Sequence, residues 1–179
     1  MKELILGAGS TKIKRMTLNN LSSEYENPVT VDINKDHNPD VLWDLNKLPL
    51  PFEDNEFDEI HAYDVLEHLG HQGDYESFFN FFNDLWRILK PNGKLFALVP
   101  HWNSLWAWGD PGHVRVINGG TLSFLDREQY EIQVGKSAMT DYRFIYKGNF
   151  KLASFKEIKN EDTGEWLYCG FVLHSVKDE

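Results

Sequence analysis

The chain has 179 residues, a formal net charge of −10, 41% hydrophobic residues and 14% aromatic residues. This composition excludes a disordered chain, disfavours non-specific binding to a polyanion, and at this length predicts one domain over residues 1–179. The sequence has one cysteine, so an intramolecular disulfide is excluded and a reducing compartment is favoured. Because we find no signal-peptide profile and no long apolar stretch, we expect a cytoplasmic protein without a membrane partner.

Short apolar runs alternate with turns in the first part of the chain. Glu3–Leu6 predicts a strand that ends in a glycine turn. Thr11–Tyr25, in which Lys and Arg alternate with apolar residues, predicts a modest helix. The β-branched run at 29–33 and the run at 41–45 predict two more strands, and 57–65 predicts a fourth.

The second part begins with the clearest helical pattern in the sequence. Aromatic and aliphatic residues recur every three or four positions over Tyr75–Leu89, which predicts an amphipathic helix, and Lys90–Gly93 supplies the residues that end one. Lys94–Pro100 predicts a buried strand. From Tyr142 onward, two extended segments flank the turn at 159–164 and predict an antiparallel hairpin. Together these elements predict an α/β sandwich with a mostly parallel sheet.

Glycines and acidic residues follow the predicted strands at their carboxyl ends. In an open α/β sheet, ligands bind at this edge. Asp32 lies 23 residues after Gly9, which is close to the spacing at which an acid accepts hydrogen bonds from ribose hydroxyls. Asp44 and Leu45 offer an acceptor for an exocyclic amine and an apolar wall for a purine. Their shared placement indicates a nucleoside-binding edge.

Four runs of the chain, in unbroken order from Leu4 to His101, carry a family resemblance: "LILGAGS", "VTVDIN", "VLWDLNKLPLPFEDNEFDEIHAYDVLEHL" and "WRILKPNGKLFALVPH". They resemble the successive motifs of class I S-adenosylmethionine-dependent methyltransferases, of the small methyltransferase-11-like type found in bacteria and phages. The resemblance implies a Rossmann-like sandwich, S-adenosylmethionine as the cofactor and a cofactor-binding half at 1–101.

The resemblance also implies the cofactor-binding residues. It places the glycine loop on the methionine part, Asp32 on the ribose, and residues near 62–64 at the amino-acid end. The implied set is Gly7, Ala8, Gly9, Ser10, Asp32, Ile33, Asp44, Leu45, Tyr63, Asp64 and His68. Ile5 stands where many family members carry an acid, so backbone carbonyls or Asp64 are expected to hold the cofactor's ammonium group.

The run "HWNSLWAWGDPGHVR" at 101–115 follows the strand end that faces the reactive methyl group. We expect residues 102–141 to form an acceptor-site insertion or lid, before a C-terminal hairpin at 142–179. An imidazole titrates near working pH, so His101 and His113 are candidate catalytic bases. Trp102, Asp110 and Arg115 are candidate substrate-binding residues, although each tryptophan is first expected to pack in the lid's own core.

The spacing of His101, Asp110 and His113 matches no metal-binding signature, so no metal is expected. The leading hypothesis is methyl transfer to an O or N acceptor on a small molecule, sugar or peptide. A nucleic-acid methyltransferase is an alternative that Lys12, Lys14 and Arg15 keep open, although the net charge opposes it.

Two further alternatives concern the ligand rather than the acceptor. The first is a non-catalytic module that binds S-adenosylmethionine without transferring its methyl group. The second is a nicotinamide dehydrogenase, which the glycine loop disfavours because Lys12 occupies the position of its third glycine.

Overall fold

The computed structural model describes residues 1–10, 12–18 and 21–177. The strands of this part of the chain form one sheet. In chain order, the seven strands of this part are β1 (Glu3–Leu6), β2 (Pro28–Asp32), β3 (Val41–Leu42), β4 (Phe57–Tyr63), β5 (Leu89–Pro100), β6 (Phe150–Lys159) and β7 (Trp166–Ser175). They lie in the order β3-β2-β1-β4-β5-β7-β6. The first five are parallel, and β7 runs antiparallel between β5 and β6. The predicted fold class is confirmed.

The α-helices of these described residues are α1 (Tyr75–Ile88), α2 (Trp106–Gly109), α3 (Gly119–Ser123) and α4 (Arg127–Gln133). The amphipathic pattern predicted α1 to within one residue. This helix begins after Asp74, whose carboxylate accepts the backbone N–H of Ser77 at 3.0 Å. The other three helices are short and lie in the segment that follows β5.

The hydrophobic core lies between α1 and one face of the sheet. Side chains alternate along a strand, so Leu4 and Leu6 of β1 face the same side as Ile60 and Ala62 of β4. These residues belong to one buried cluster with the apolar face of α1, to which the helix contributes Phe78, Phe79, Phe81, Phe82, Leu85 and Ile88. This packing fixes the strand ends relative to one another.

The opposite face of β1 and β4 contains charged residues that are fully buried. Glu3 lies beside Glu59, and the side chain of Lys14 reaches both carboxylates at 2.8 and 2.7 Å. His61 is stacked on Phe96 and hydrogen-bonded to Glu59 at 3.1 Å. Burial lowers the pKa of Lys14, but its hydrogen bonds to the two glutamates outweigh burial and raise the pKa above its ordinary value. A cluster of buried ion pairs, which includes Lys14 from the segment predicted to be helical, thus lies on this face of the sheet.

The predicted helix over Thr11–Tyr25 is wrong for the part of it that the structure describes. Residues 12–18 and 21–25 contain no helix, while Thr11, Asn19 and Asn20 lie outside the described residues. Lys14 turns inward to the glutamates, and the side chain of Met16 lies against Gly170 of β7. These tertiary contacts override the modest local preference for a helix.

Other boundaries differ less from the predictions. The third strand ends at Leu42 rather than at residue 45, and the hairpin begins at Phe150 rather than near Tyr142. The turn at 159–164 lies between β6 and β7 as predicted. Among the residues described by the structure, no helix is both long and apolar enough to cross a membrane.

Replacement of Lys14 by methionine should destabilise the protein strongly. The variant leaves Glu3 and Glu59 buried without their cation, and removing one partner of a buried ion pair costs about 3–5 kcal/mol. Urea denaturation of Lys14→Met measures the loss in free energy of unfolding, with Lys136→Met on the exposed surface as the control. Equal stability of the two variants would contradict the structural role of the cluster.

Candidate functional site

The glycine loop after β1 is shaped by two left-handed residues. Gly7 has φ +59° and Gly9 has φ +56°, a conformation that side chains disfavour. A Cβ on Gly7 would lie 2.6 Å from the side chain of Val65, whereas a Cβ on Gly9 would have no neighbour within 4 Å. Gly7 is therefore required for packing, and Gly9 leaves its backbone open to a ligand.

Asp32 connects this loop to the end of β2. One carboxylate oxygen accepts the N–H of Gly9 at 2.8 Å and lies 3.0 Å from Nδ1 of His37, and the other accepts the N–H of Asn34 at 2.8 Å. Burial raises the pKa of Asp32, but the hydrogen bonds from Asn34, Gly9 and His37 outweigh it and hold the pKa below its ordinary value. A carboxylate has about four acceptor sites, so one remains for a ligand hydroxyl.

The edge beyond β2 and β3 combines exposed apolar surface with an acid. Ile33 is 69% exposed although it follows a buried strand directly. Asp44 lies two residues after β3, where one of its oxygens accepts the backbone N–H of Asn46 at 3.0 Å. Leu45 instead belongs to the hydrophobic core, so the structure does not support its expected role as a wall for a purine. Ile33 offers the exposed apolar surface at this position.

A strained residue and an ion pair follow β4. Asp64 has φ 53°, and its carboxylate pairs with the guanidinium of Arg15. The guanidinium also lies over the ring of Tyr63, with its central carbon 5.6 Å from the ring centroid. Ile5, where family members often carry an acid, lines the same cleft together with Arg15 and Tyr63. Arg15 thus brings its charge, paired with Asp64, to a cleft that Gly7 and Ala8 of the glycine loop also line, and Ser10 of the loop is exposed.

Two segments distant in the chain pack together next to β4. The carbonyl of Glu67, in the 3₁₀ turn at Leu66–His68, accepts the N–H groups of Val114 and Arg115 at 2.9 and 3.1 Å. Nδ1 of His68 lies 2.9 Å from the carbonyl oxygen of Gly112. These contacts bring the "LEH" run and the "DPGHVR" run into one site.

Glu67 is a buried carboxyl group whose oxygens have no hydrogen-bond partner among the described residues. Its residue is 2% exposed, and burial raises the pKa of Glu67 to about 8, with a smaller contribution from the nearby Asp64. Nε2 of His113 lies 3.9 Å from Oε1 of Glu67 and 3.9 Å from Oδ2 of Asp110. The carboxyl group therefore faces an imidazole without bonding to it.

The hydrogen bonds of His68 and His113 indicate their tautomers. Nδ1 of His113 lies 2.7 Å from the carbonyl oxygen of Trp106, and Nδ1 of His68 has the Gly112 carbonyl as its partner. A carbonyl oxygen can only accept, so each Nδ1 carries a hydrogen. Nε2 of each neutral ring then has a lone pair. The two rings are nearly perpendicular, with their centroids 4.6 Å apart.

The geometry does not support His101 as a catalytic base. His101 is 1% exposed, Nε2 bonds to Glu157 at 3.1 Å, and Nδ1 accepts the N–H of Asn103 at 3.1 Å. Its ring also stacks on Trp166 at 4.3 Å. Both nitrogens are therefore occupied, and His101 joins the end of β5 to the hairpin.

Arg115 likewise has a structural environment. Its guanidinium donates to the carbonyls of Leu69 and Asp74 at 3.3 and 2.8 Å and lies over the ring of Phe78. These contacts use Nε and Nη2 of the guanidinium and anchor the 110–115 segment to the loop before α1. Substrate binding by Arg115 stays a prediction.

The tryptophans after β5 do not form a lid core, so that expectation is wrong. Trp102, Trp106 and Trp108 are all exposed, whereas Ala107 is buried. In the one-turn helix α2, the small residue Ala107 is the one that is buried. The three rings therefore form an exposed aromatic rim beside His113.

Four of the residues that shape the site were not predicted from the sequence. Glu67 lies within a quoted motif and His37 lies between two of them, but the burial and contacts of both residues depend on tertiary structure. Lys14 and Arg15 lie in the segment that was predicted as a helix, and each pairs with acidic groups. The only sequence signal for Glu67 was an acid flanked by apolar residues in "VLEHL".

The chain matches a family model described as a methyltransferase domain over residues 13–97. A search of curated proteins finds no match. Among solved structures, a SAM-dependent methyltransferase from Archaeoglobus fulgidus is 17% identical, with a TM-score of 0.60 over 97% of this chain and 85% of that protein.

Two further solved structures are methyltransferases with a named activity. The N-methyltransferase NodS from Bradyrhizobium japonicum is 10% identical, with a TM-score of 0.57 over 98% of this chain and 86% of that protein. A 1,6-didemethyltoxoflavin-N1-methyltransferase from Burkholderia thailandensis, with bound 1,6-didemethyltoxoflavin and S-adenosylhomocysteine, is 14% identical, with a TM-score of 0.56 over 98% and 71%. At these identities, the structural likeness establishes the fold.

Alanine at Gly7 should cost more stability than alanine at Gly9. Both residues have a left-handed φ that costs a side chain about 1–2 kcal/mol, but only the Cβ on Gly7 meets Val65. We expect Gly7→Ala to lose about 1–3 kcal/mol more than Gly9→Ala in urea denaturation, the usual cost of overpacking. Equal losses would show that the contact with Val65 does not constrain the loop.

Proposed function

We propose that this chain, which belongs to the class I S-adenosylmethionine-dependent methyltransferases, transfers the cofactor's methyl group to an oxygen or nitrogen of a small molecule, a sugar or a peptide. The observation that carries the proposal is the meeting of two groups of residues at one sheet edge. The glycine loop and Asp32 lie on one side, and His113, Asp110 and the aromatic rim lie on the other.

The residues on the first side fit the nucleoside part of the cofactor. Asp32 has an acceptor site left for a ribose hydroxyl, and its lowered pKa keeps it ionised at neutral pH. Ile33 presents exposed apolar surface for the adenine ring. Gly9 leaves space for a close approach to the loop backbone.

The Asp64–Arg15 pair fits the amino-acid end of the cofactor. That end carries both an ammonium and a carboxylate. Arg15 lines the cleft beside Ile5 and pairs with Asp64, so the pair brings one charge of each sign to this place. We assign the ammonium to Asp64 and the carboxylate to Arg15. Asp64 thus takes the role of the acid that many family members carry at the position of Ile5.

On the acceptor side, the protein has to position a nucleophile and remove its proton. The sulfonium is an activated methyl donor, so positioning can supply much of the rate. The Nε2 lone pair of His113 accepts the acceptor's proton. Exposed Trp102 lies on the rim where a ring or sugar can stack.

A small acceptor agrees better with the charges than a nucleic acid does. The net charge is −10, and the basic residues that kept the nucleic-acid alternative open are partly occupied. Lys14 is buried between glutamates, and Arg15 is paired with Asp64. Counterion release from a polyanion requires free cationic side chains. The Burkholderia thailandensis structure, with its small bound acceptor, has the same fold.

Replacement of Asp32 by asparagine should weaken cofactor binding. The variant removes the charge from hydrogen bonds to the ribose, which are worth about 1–3 kcal/mol. Calorimetric titration with S-adenosylhomocysteine measures the loss, with Asp36→Asn on the exposed side of the following turn as the matched control. Unchanged affinity in Asp32→Asn would contradict the ribose assignment, and no binding to the wild-type protein would overturn the proposed function.

His113→Ala should lower turnover by about 10²-fold or more while leaving the affinity for S-adenosylhomocysteine unchanged, because the variant removes the Nε2 lone pair that accepts the acceptor's proton. Turnover is measured as S-adenosylhomocysteine released in the presence of hydroxyl-bearing and amine-bearing small molecules, sugars and peptides. His71→Ala, at an exposed histidine in the same region, is the control. Loss of cofactor binding in His113→Ala would instead assign this residue a structural role.

A further inference from the structure

Glu67, His68 and His113, named here the Glu67 cluster, bring one carboxylate and two imidazoles together. One ligand atom from each residue lies within 4.8 Å of the other two. The cluster joins segments far apart in the sequence, and the backbone hydrogen bonds from Val114 and Arg115 to Glu67 hold these segments together. The backbone structure therefore places the three side chains together, and the rings of His68 and His113 also pack edge-to-face.

In both imidazoles Nδ1 carries the hydrogen, so Nε2 is the nitrogen that can bind a metal ion. Each Nδ1 donates to a backbone carbonyl, at Gly112 for His68 and at Trp106 for His113. Histidines that bind metals commonly use one nitrogen as the ligand and donate the other N–H to such an acceptor. Their Nε2 lone pairs remain for a ligand bond.

The carboxyl group of Glu67 provides the second observation. Its side chain is 97% buried, at 3% relative exposure, and neither oxygen has a hydrogen-bond partner among the described residues. An unpartnered buried carboxyl group costs free energy, and a bound cation would supply the missing partner. Nε2 of His113, at 3.9 Å, is too far for a hydrogen bond but close enough to share an ion.

The described residues contain two other clusters of potential metal ligands, and in both the carboxylates already have partners. Glu3, Glu59 and His61 already surround the ammonium of Lys14. In the cluster with Glu157, the imidazole of His101 is bonded to the carboxylate. Within the described part of the chain, the Glu67 cluster is thus the one of these three whose carboxyl group has neither an ammonium partner nor a hydrogen bond from a histidine of the cluster.

We propose that the Glu67 cluster binds a divalent transition-metal ion. Two imidazoles and one carboxylate form a ligand set typical of Zn²⁺ sites that keep a position open for a further ligand. Asp110, with Oδ2 at 3.9 Å from Nε2 of His113, lies beside that set. The sequence spacing alone indicated no metal, because Glu67 and His68 come from another part of the chain.

The role of the ion in catalysis rests on the proposed function. The ion lowers the pKa of an acceptor hydroxyl, whose proton passes to solvent. The oxygen then forms a bond to the methyl carbon, and the carbon–sulfur bond breaks with its electron pair remaining on sulfur. His113 serves in this case as a ligand of the ion rather than as the base.

Calorimetric titration of the chelator-treated, full-length protein with Zn²⁺ tests the site. We expect one ion per chain, and we expect Glu67→Gln and His68→Gln each to weaken binding at least about tenfold. His68 is exposed, so its variant remains informative if Glu67→Gln does not fold. Glu157→Gln, in the His101 cluster, is the control and should bind Zn²⁺ as the wild type does.

Two results would overturn the metal site: no Zn²⁺ binding by the wild type, or unchanged affinity in the folded variants of the Glu67 cluster. Titration of the same preparations with S-adenosylhomocysteine separates the two proposals. Binding of S-adenosylhomocysteine without Zn²⁺ removes the metal site and leaves the proposed function. Binding of Zn²⁺ without S-adenosylhomocysteine keeps the metal site and removes the proposed function.

Discussion

The carboxylate of Asp32 makes the contacts on which the cofactor side of the site depends. It binds the backbone of Gly9 after β1 and of Asn34 after β2, so it joins two strand ends that the chain separates by a long irregular segment. A buried charge is tolerated only when it is well hydrogen-bonded, and His37 completes its partners. The left-handed glycines then place the loop backbone beside this anion, where a nucleoside can bind.

Strand topology brings the acceptor side to the same edge. The sheet order reverses between β1 and β4, and in open α/β sheets ligands bind at such a point. Glu67 follows β4 and His113 follows β5, so neighbouring parallel strands deliver them to one place. The cofactor side is therefore built from backbone groups and acids, and the acceptor side from imidazoles, acids and exposed tryptophans.

Strands, the long helix and the cofactor motifs could be predicted because each depends on local pattern. The recurring phenylalanines of α1 and the run containing Asp32 carry their structural meaning within a few residues. The segment after the glycine loop could not be predicted in this way. The segment around Lys14 is not helical because the ammonium of Lys14 pairs with two glutamates that lie outside this segment of the sequence. No local sequence pattern indicates that contact. Glu67 was missed for the same reason, since its burial depends on residues 110–115 packing over it.

A crystal structure of the protein with S-adenosylhomocysteine tests the proposed cofactor site most directly. We expect a ribose hydroxyl to bind Asp32, the adenine to lie on Ile33, and the amino-acid end to meet Asp64 and Arg15. We also expect the sulfur to face His113. A cofactor bound away from the glycine loop, or with its ribose out of reach of Asp32, would contradict the proposed cofactor site.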